Sequence, residues 1–180
     1  MQGTDKNAMN LSDEPLFDET DAGNTPDART NPAVRDRIRT LIDEQPYAVL
    51  CVGGGGQPYG ALVAFAFSED MRHAVFVTPV ATRKYRLLSE CDHVALVIDN
   101  RSNKGGELME VEAVTVTGQS HVIERGSEFD RWSGLLVARH TYLKSFVEAT
   151  TCKLFRVDVV RCLHVARFQE VNQWIPASHS

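Results

Sequence analysis

No run of apolar residues in this 180-residue chain approaches the roughly 18 that a membrane-spanning helix requires, so no spanning segment is expected. Positive charge is not in excess either. The chain has 19 Lys and Arg against 24 Asp and Glu, a formal charge of -5, which argues against general binding to nucleic acid or anionic membranes. The four cysteines, Cys51, Cys91, Cys152 and Cys162, lack CxxC spacing and are too sparse for a disulfide framework. Met1 to Asn31 is polar and acidic, without the apolar centre of a secretory signal. These absences together lead us to expect reduced thiols in a cytoplasmic protein. No cluster of His, Cys, Asp and Glu has metal-ligand spacing, so no metal site is expected.

What is present is globular: 43% apolar and 24% charged residues, enough to bury a core without disulfides or metal. Residues 1–30 are rich in Asp, Glu, Asn, Thr, Gly and Pro and read as a flexible acidic arm, docked if at all through Leu16 and Phe17. The folded domain is expected over residues 31–180. Asn31 can cap a helix, Pro32 suits its first position, and Val34, Ile38, Leu41 and Ile42 recur at helical spacing before Pro46.

After Pro46 the periodicity becomes that of strands. Tyr47–Val52 and Tyr59–Phe67 flank glycines 53 to 56, and His73–Thr78 follows a polar turn. Val63, Phe65 and Phe67 alternate with Leu62, Ala64 and Ala66, so both faces of that strand are apolar, as in a central or closed sheet. A short helix fits Thr82–Cys91, then strands fit His93–Ile98 and Val111–Ile123, the latter broken by Gly118. Phe129, Trp132, Leu136 and Leu143 mark the buried side of a helix over Ser127–Leu143. Lys153–Phe168 supplies closing strands, with Val157, Val159 and Leu163 inward for part of its length. The glycines lead into a strand rather than a helix and are not followed by Gly-Lys-Ser/Thr, which excludes a Rossmann turn and a P-loop. The expected class is mainly β with peripheral helices, an antiparallel barrel whose closure removes exposed edges.

The chemistry concentrates in Phe76-Val-Thr-Pro-Val-Ala-Thr-Arg-Lys84. A strand delivers Thr78, and Thr82, Arg83 and Lys84 open the next helix, where unpaired N–H groups and the helix dipole favour an anion. Arg83 can grip phosphate oxygens with a planar fork, Lys84 adds a point charge, and both threonines carry hydroxyl donors. The bland alternative is an exposed Arg-Lys pair with Thr82 as a simple cap.

Pro58-Tyr-Gly-Ala-Leu-Val-Ala-Phe65, Val77-Thr-Pro-Val-Ala-Thr-Arg-Lys84 with Leu87-Leu88, Val94-Ala-Leu-Val-Ile98 and Val114-Thr-Val-Thr-Gly-Gln119 occur in that order. So do Leu136-Val-Ala-Arg-His-Thr-Tyr-Leu-Lys-Ser-Phe146 and Val165-Ala-Arg-Phe-Gln-Glu-Val171. Over about residues 33 to 175 the chain resembles the pyridoxamine 5'-phosphate oxidase-related family of FMN-binding split β-barrels. The resemblance implies that Thr82, Arg83 and Lys84 hold the FMN phosphate and that Thr78 and Pro79 approach the flavin. It also implies that Leu62, Val63 and Ala64 lay their backbone along the ring, with Gln119 near it. It further implies a homodimer with FMN at the interface, and a flavin-dependent oxidoreductase acting on a small or planar substrate, with NADH or NADPH as a candidate donor. The alternative it leaves is a flavin or haem binding protein without turnover. One departure matters. The oxidase proper has a C-terminal Arg-x-His, absent from Asn172-Gln-Trp-Ile-Pro-Ala-Ser-His-Ser180, and Ala61 stands where it has an arginine before its flavin-facing strand. Both argue against pyridoxamine 5'-phosphate as substrate.

The remaining candidates have structural readings beside functional ones. His73 and His93 sit in apolar strands as barrel or interface residues, while His140 and His164 could approach a haem or a small substrate, a role that no motif spacing supports strongly. His121 and His179 are less informative. Phe129 and Trp132 read as helix-to-barrel core, and Trp174 and Phe168 as terminal aromatics able to cover a ring in the dimer. Glu107, Glu110 and Glu112 read as a solvated edge, and Asp99, Asn100 and Asn103 as turn formers.

Overall fold

The computed structural model describes residues 31–54, 56–103, 108–167 and 170–176. The arm of residues 1–30, with Leu16 and Phe17, and the side chains of Glu107, Phe168 and His179 lie outside the described residues.

The Asn31 side chain accepts a hydrogen bond from the Ala33 N–H at 3.0 Å, and Pro32 fills the first position of helix α1 (Pro32–Glu44). The stripe of Val34, Ile38, Leu41 and Ile42 is buried, as its spacing predicts. Strands β1 (Tyr47–Gly54) and β2 (Gln57–Phe67) form a hairpin whose last pair is Gly54 with Gln57. The turn is therefore shorter than the four-glycine connection expected, because Gly53 and Gly54 are strand. Gly56 has φ +77°, a conformation that favours glycine at a tight hairpin.

The chain continues through β3 (His73–Pro79), α2 (Arg83–Glu90), β4 (His93–Asp99) and β5 (Ala113–Ile123). Helix α3 (Ser127–Arg139), a single 3-10 turn, α4 (Lys144–Glu148), β6 (Cys152–Ala166) and β7 (Glu170–Trp174) complete it. All the pairings are antiparallel, and β3 closes on β6, so β1, β2, β3, β6, β5 and β4 form a ring. The long β6 pairs with β3 over its first half and with β7 over its second.

Alternation sends one set of side chains into the barrel. Leu50, Val63, Phe65, Phe76, Leu96, Ile98, Val114, Val116, Phe155 and Val157 share one core with the apolar stripe of α1. Trp174 belongs to this core too, so it is a packing residue and not a free aromatic at the surface. A second core lies outside the wall, where Phe129, Trp132 and Leu136 of α3 and Val147 of α4 cover Ala66, Val75, Val77 and Leu154.

The helix expected over Ser127–Leu143 stops at Arg139. There the Arg139 guanidinium donates to the carbonyls of Ile42, Asp43 and Gln45 at 2.6, 3.1 and 2.7 Å, satisfying carbonyls at the end of α1. Leu143 accordingly falls in the 3-10 turn and is only partly buried. A further difference lies in β6. Thr117 pairs with Arg161 but Gly118 pairs with Val159, leaving Val160 as an extra residue. The bulge reverses the alternation, so beyond it Cys162 and His164 face the core while Leu163, expected inward, is turned out. Gly118 is required there because a Cβ would collide with the Asp158 carbonyl. All four cysteines are free, as expected, and among the described residues no helix is long and apolar enough to cross a membrane.

Candidate functional site

Strands β2 and β3 pair only over Phe65–Phe76, Ala66–Val75 and Phe67–Ala74. Continuing that register would set Val63 opposite Thr78 and Leu62 opposite Pro79, yet these residues do not pair. Ala64, Val63 and Leu62 stay with Tyr47, Ala48 and Val49 of β1, whereas Thr78 and Pro79 stay with Lys153 and Cys152 of β6. The wall thus opens along a seam. Five of the nine sequence-predicted cofactor residues, Leu62, Val63, Ala64, Thr78 and Pro79, are its two lips. The open strand edge of β2 leaves backbone donors and acceptors for a partner other than β3.

Helix α2 begins where the β3 lip ends. The Thr82 hydroxyl donates to the Pro79 carbonyl at 2.8 Å and accepts from the Tyr85 N–H at 3.2 Å, the geometry of an N-cap. Thr78 is fully buried, with its hydroxyl oxygen 3.1 Å from that of Thr82. Since the single Thr82 proton goes to Pro79, Thr78 donates to Thr82. Both hydroxyls therefore have partners inside the protein, which tie the β3 lip to the helix start. What remains open is the backbone: the N–H groups of Arg83 and Lys84 have no partner among the described residues.

The two cations have no carboxylate partner among the described residues. Lys84 is half-buried, and that burial pushes its ammonium below the usual lysine value. Arg83 is exposed, and its guanidinium lies 5.1 Å from the centre of the Tyr59 ring on β2. Tyr59 escaped sequence reasoning because 24 residues separate it from Arg83 and no local pattern links a hairpin tyrosine to a helix start.

Gln119 is not brought to this cluster within one chain. It pairs with His93 and with Asp158, and Asp158 pairs with His73 at the other end of β3. From His73 to Thr78 is about 17 Å of strand at roughly 3.3 Å per residue. A cavity of about 900 Å³ also lies at that distant end, lined by His73, Trp132, Arg131 and Arg156, and none of the nine predicted residues lines it.

Four of the described histidines are engaged in the fold. His164 is fully buried and its Nε2–H donates to Glu112 at 2.8 Å; His140 Nε2–H donates to the Phe65 carbonyl at 2.8 Å. His73 Nδ1 and His121 Nε2 approach opposite oxygens of Asp158 at 2.9 and 3.3 Å. Glu112 is accordingly not a solvated-edge residue. Burial pushes its carboxyl up, but the His164 hydrogen bond and the charge of Arg37, 3.4 Å away, outweigh this and hold it below the usual carboxylate range. Asn100, read as a turn former, accepts from the Glu112 N–H at 2.8 Å. Among the described residues no group of His, Cys, Asp and Glu could hold a metal.

A six-strand antiparallel barrel that opens along one seam, with a basic helix start at the end of the seam, defines a split-barrel protein. The chain belongs to the pyridoxamine 5'-phosphate oxidase family, whose model matches residues 34–173. No curated protein matches it in sequence. Among solved structures it resembles a heme binding protein from Mycobacterium smegmatis, with 16% identity and a TM-score of 0.72. That match covers 82% of this chain and 60% of the other, so the chain spans about three-fifths of that relative. ChuZ from Campylobacter jejuni gives 10% identity over 82% of this chain and 61% of the other, with a TM-score of 0.69. A FAD-binding protein from Mesorhizobium loti gives 14%, 71%, 91% and 0.58 for the same quantities. At these identities the likeness is one of fold.

Proposed function

We propose that this protein is an FMN-dependent oxidoreductase that acts on a small or planar compound, takes electrons from NADH or NADPH, and works as a homodimer. The observation that carries the reading is Lys84: a half-buried ammonium with no counter-ion among the described residues, beside two open N–H groups and Arg83. A desolvated cation without a partner is costly unless an anion completes it, and a phosphate monoester supplies the charge and the acceptor oxygens. The residues therefore fit the phosphate end of FMN. Leu62–Ala64 offer an extended strand edge across the seam from Thr78, suited to a flat ring. A bound flavin would supply hydride transfer, with Arg83, Lys84 and the open N–H groups holding its phosphate and the edge of β2 at Leu62–Ala64 facing its ring.

The outer face of the sheet supports the reading of a second copy. Leu62, Val49, Val97 and Thr115 form one cross-strand row, and Gly60, Cys51, Ala95 and Thr117 form the next. Among the described residues no helix covers these rows, and Leu62 is 65% exposed. A patch of mostly small and apolar residues beside the seam suits a second copy, which would cover the exposed side of a bound ring and is the natural source of a Gln119 contact. Ala61, in place of the arginine that the resemblance implies before the flavin-facing strand, directs the substrate away from pyridoxamine 5'-phosphate. Free thiols fit a reducing cytoplasm.

Flavin binding without turnover is the competing reading. The haem version is weakened by the use of both buried histidines, His140 and His164, in hydrogen bonds of the fold. Purified protein is expected to be yellow or to take up FMN, and the bound flavin to bleach with NADH or NADPH and recover with an added acceptor. Protein that cannot be reconstituted with FMN defeats the proposal. Tight FMN binding with no reduction by either nucleotide leaves the binding module.

A further inference from the structure

Arg83 opens α2, yet its guanidinium rests on a residue of another element. The guanidinium carbon lies 5.1 Å from the centre of the Tyr59 ring, within cation–π range, and Tyr59 is paired with Val52 in the β1–β2 hairpin. The ring is half-buried and packs against the barrel core, so it is a firm platform. The contact holds the guanidinium over the Tyr59 ring while no carboxylate among the described residues engages its N–H donors, the groups that grip a phosphate in a forked arrangement. An exposed arginine on a helix start would otherwise lose rotamer freedom on binding an anion, which weakens the complex.

We propose that Tyr59 positions Arg83 for the terminal phosphate of the flavin, so that the β1–β2 hairpin and α2 together set phosphate affinity. This rests on the FMN reading above. Tyr59 acts through Arg83 and touches no reacting atom; it is a positioning residue. The hairpin also joins two parts of the site: β2 carries Tyr59 near its start and the ring-facing Leu62–Ala64 a few residues on. Hairpin and helix start are then coupled, and loss of the ring is felt at the phosphate but not at the isoalloxazine.

The test is a titration of full-length, flavin-free protein with FMN and, separately, with riboflavin, which has the same ring and no phosphate. Wild type, Tyr59→Phe, Tyr59→Leu, Arg83→Ala and the Tyr59→Leu/Arg83→Ala double variant are compared by flavin fluorescence. Tyr59→Leu is expected to bind FMN about fivefold more weakly and riboflavin within about twofold of wild type, while Tyr59→Phe restores both. In the double variant the FMN affinity is expected to equal that of Arg83→Ala alone, since the platform has nothing left to hold. Thermal melts accompany each titration, and Tyr59→Met replaces Tyr59→Leu should leucine underpack the hairpin. Unchanged FMN affinity in Tyr59→Leu, or equal losses for FMN and riboflavin, overturns the positioning role alone. Wild-type protein that binds neither flavin overturns this role together with the functional reading.

Discussion

The hydroxyl oxygens of Thr78 and Thr82 lie 3.1 Å apart, one on the β3 lip of the seam and the other on the cap of α2. With Thr82 donating to Pro79, this contact ties the β3 lip to the helix start that carries Arg83 and Lys84. Thr82→Ala removes both the cap and the acceptor for Thr78. It is expected to cost about 1 kcal/mol of stability and to weaken FMN binding, while Thr82→Ser retains most of both. Chemical denaturation and a flavin titration on the same preparations check it.

Lys84 should separate binding from stability. Lys84→Met keeps the length of the side chain and removes a half-buried charge that has no counter-ion among the described residues. The expected outcome is a loss of FMN affinity of about tenfold or more with a melting temperature equal to or above wild type in flavin-free protein. A clear fall in that melting temperature would mean that Lys84 is paired within the fold.

The apolar rows on the outer sheet are tested by charge. Leu62→Glu places a carboxylate at the most exposed large apolar residue of the patch, where a second copy is proposed to sit. Light scattering is expected to show a dimer for wild type and a monomer for the variant, with weakened FMN retention. A wild-type monomer at micromolar concentration would contradict the dimer.

Acid should loosen the corner held by Glu112, Arg37 and His164. The folded carboxyl lies below its ordinary value of 4.5, so the unfolded chain binds the proton more readily. The contribution is therefore present above that ordinary value and is lost as the pH falls through the lower folded one. Glu112→Gln is expected to melt below wild type at neutral pH, with the gap narrowing as the pH falls below the ordinary value of 4.5. Melting curves across that range read the gap directly; a gap that does not narrow would detach it from this carboxylate.

Gly118 sits where a side chain would meet the Asp158 carbonyl. Gly118→Ala is expected to destabilise by about 1–3 kcal/mol through displacement of the β6 bulge, with FMN affinity changed little because the seam is distant. Denaturation midpoints measure the first and fluorescence titration the second.

Much of this protein is legible where the governing interaction is short in sequence. Asn31 and Pro32 start α1, Pro46 ends it, and Val63, Phe65 and Phe67 alternate into the core because strand geometry makes them do so. Thr82-Arg83-Lys84 reads as an anion site because a cap and two cations share one helix turn. The bulge at Val160 is less legible, since its cause is the approach of β5 to β6 at Gly118, more than 40 residues away in sequence. So are the hydrogen bond of His164 to Glu112 and the contact of Arg83 with the Tyr59 ring.

By itself the sequence determined local matters: which segments pair as strands, which faces are apolar, and where a helix opens with unsatisfied N–H groups beside two cations. Side-chain periodicity and capping act over a few residues, so no further information was needed. Only the tertiary structure decided that β2 and β3 part after Phe65 and Phe76, that the threonine hydroxyls are spent on each other and on Pro79, and that Gln119 lies away from the seam in its own chain. Those outcomes depend on barrel closure through β3 and β6, segments about 80 residues apart whose register is set by packing across the whole core.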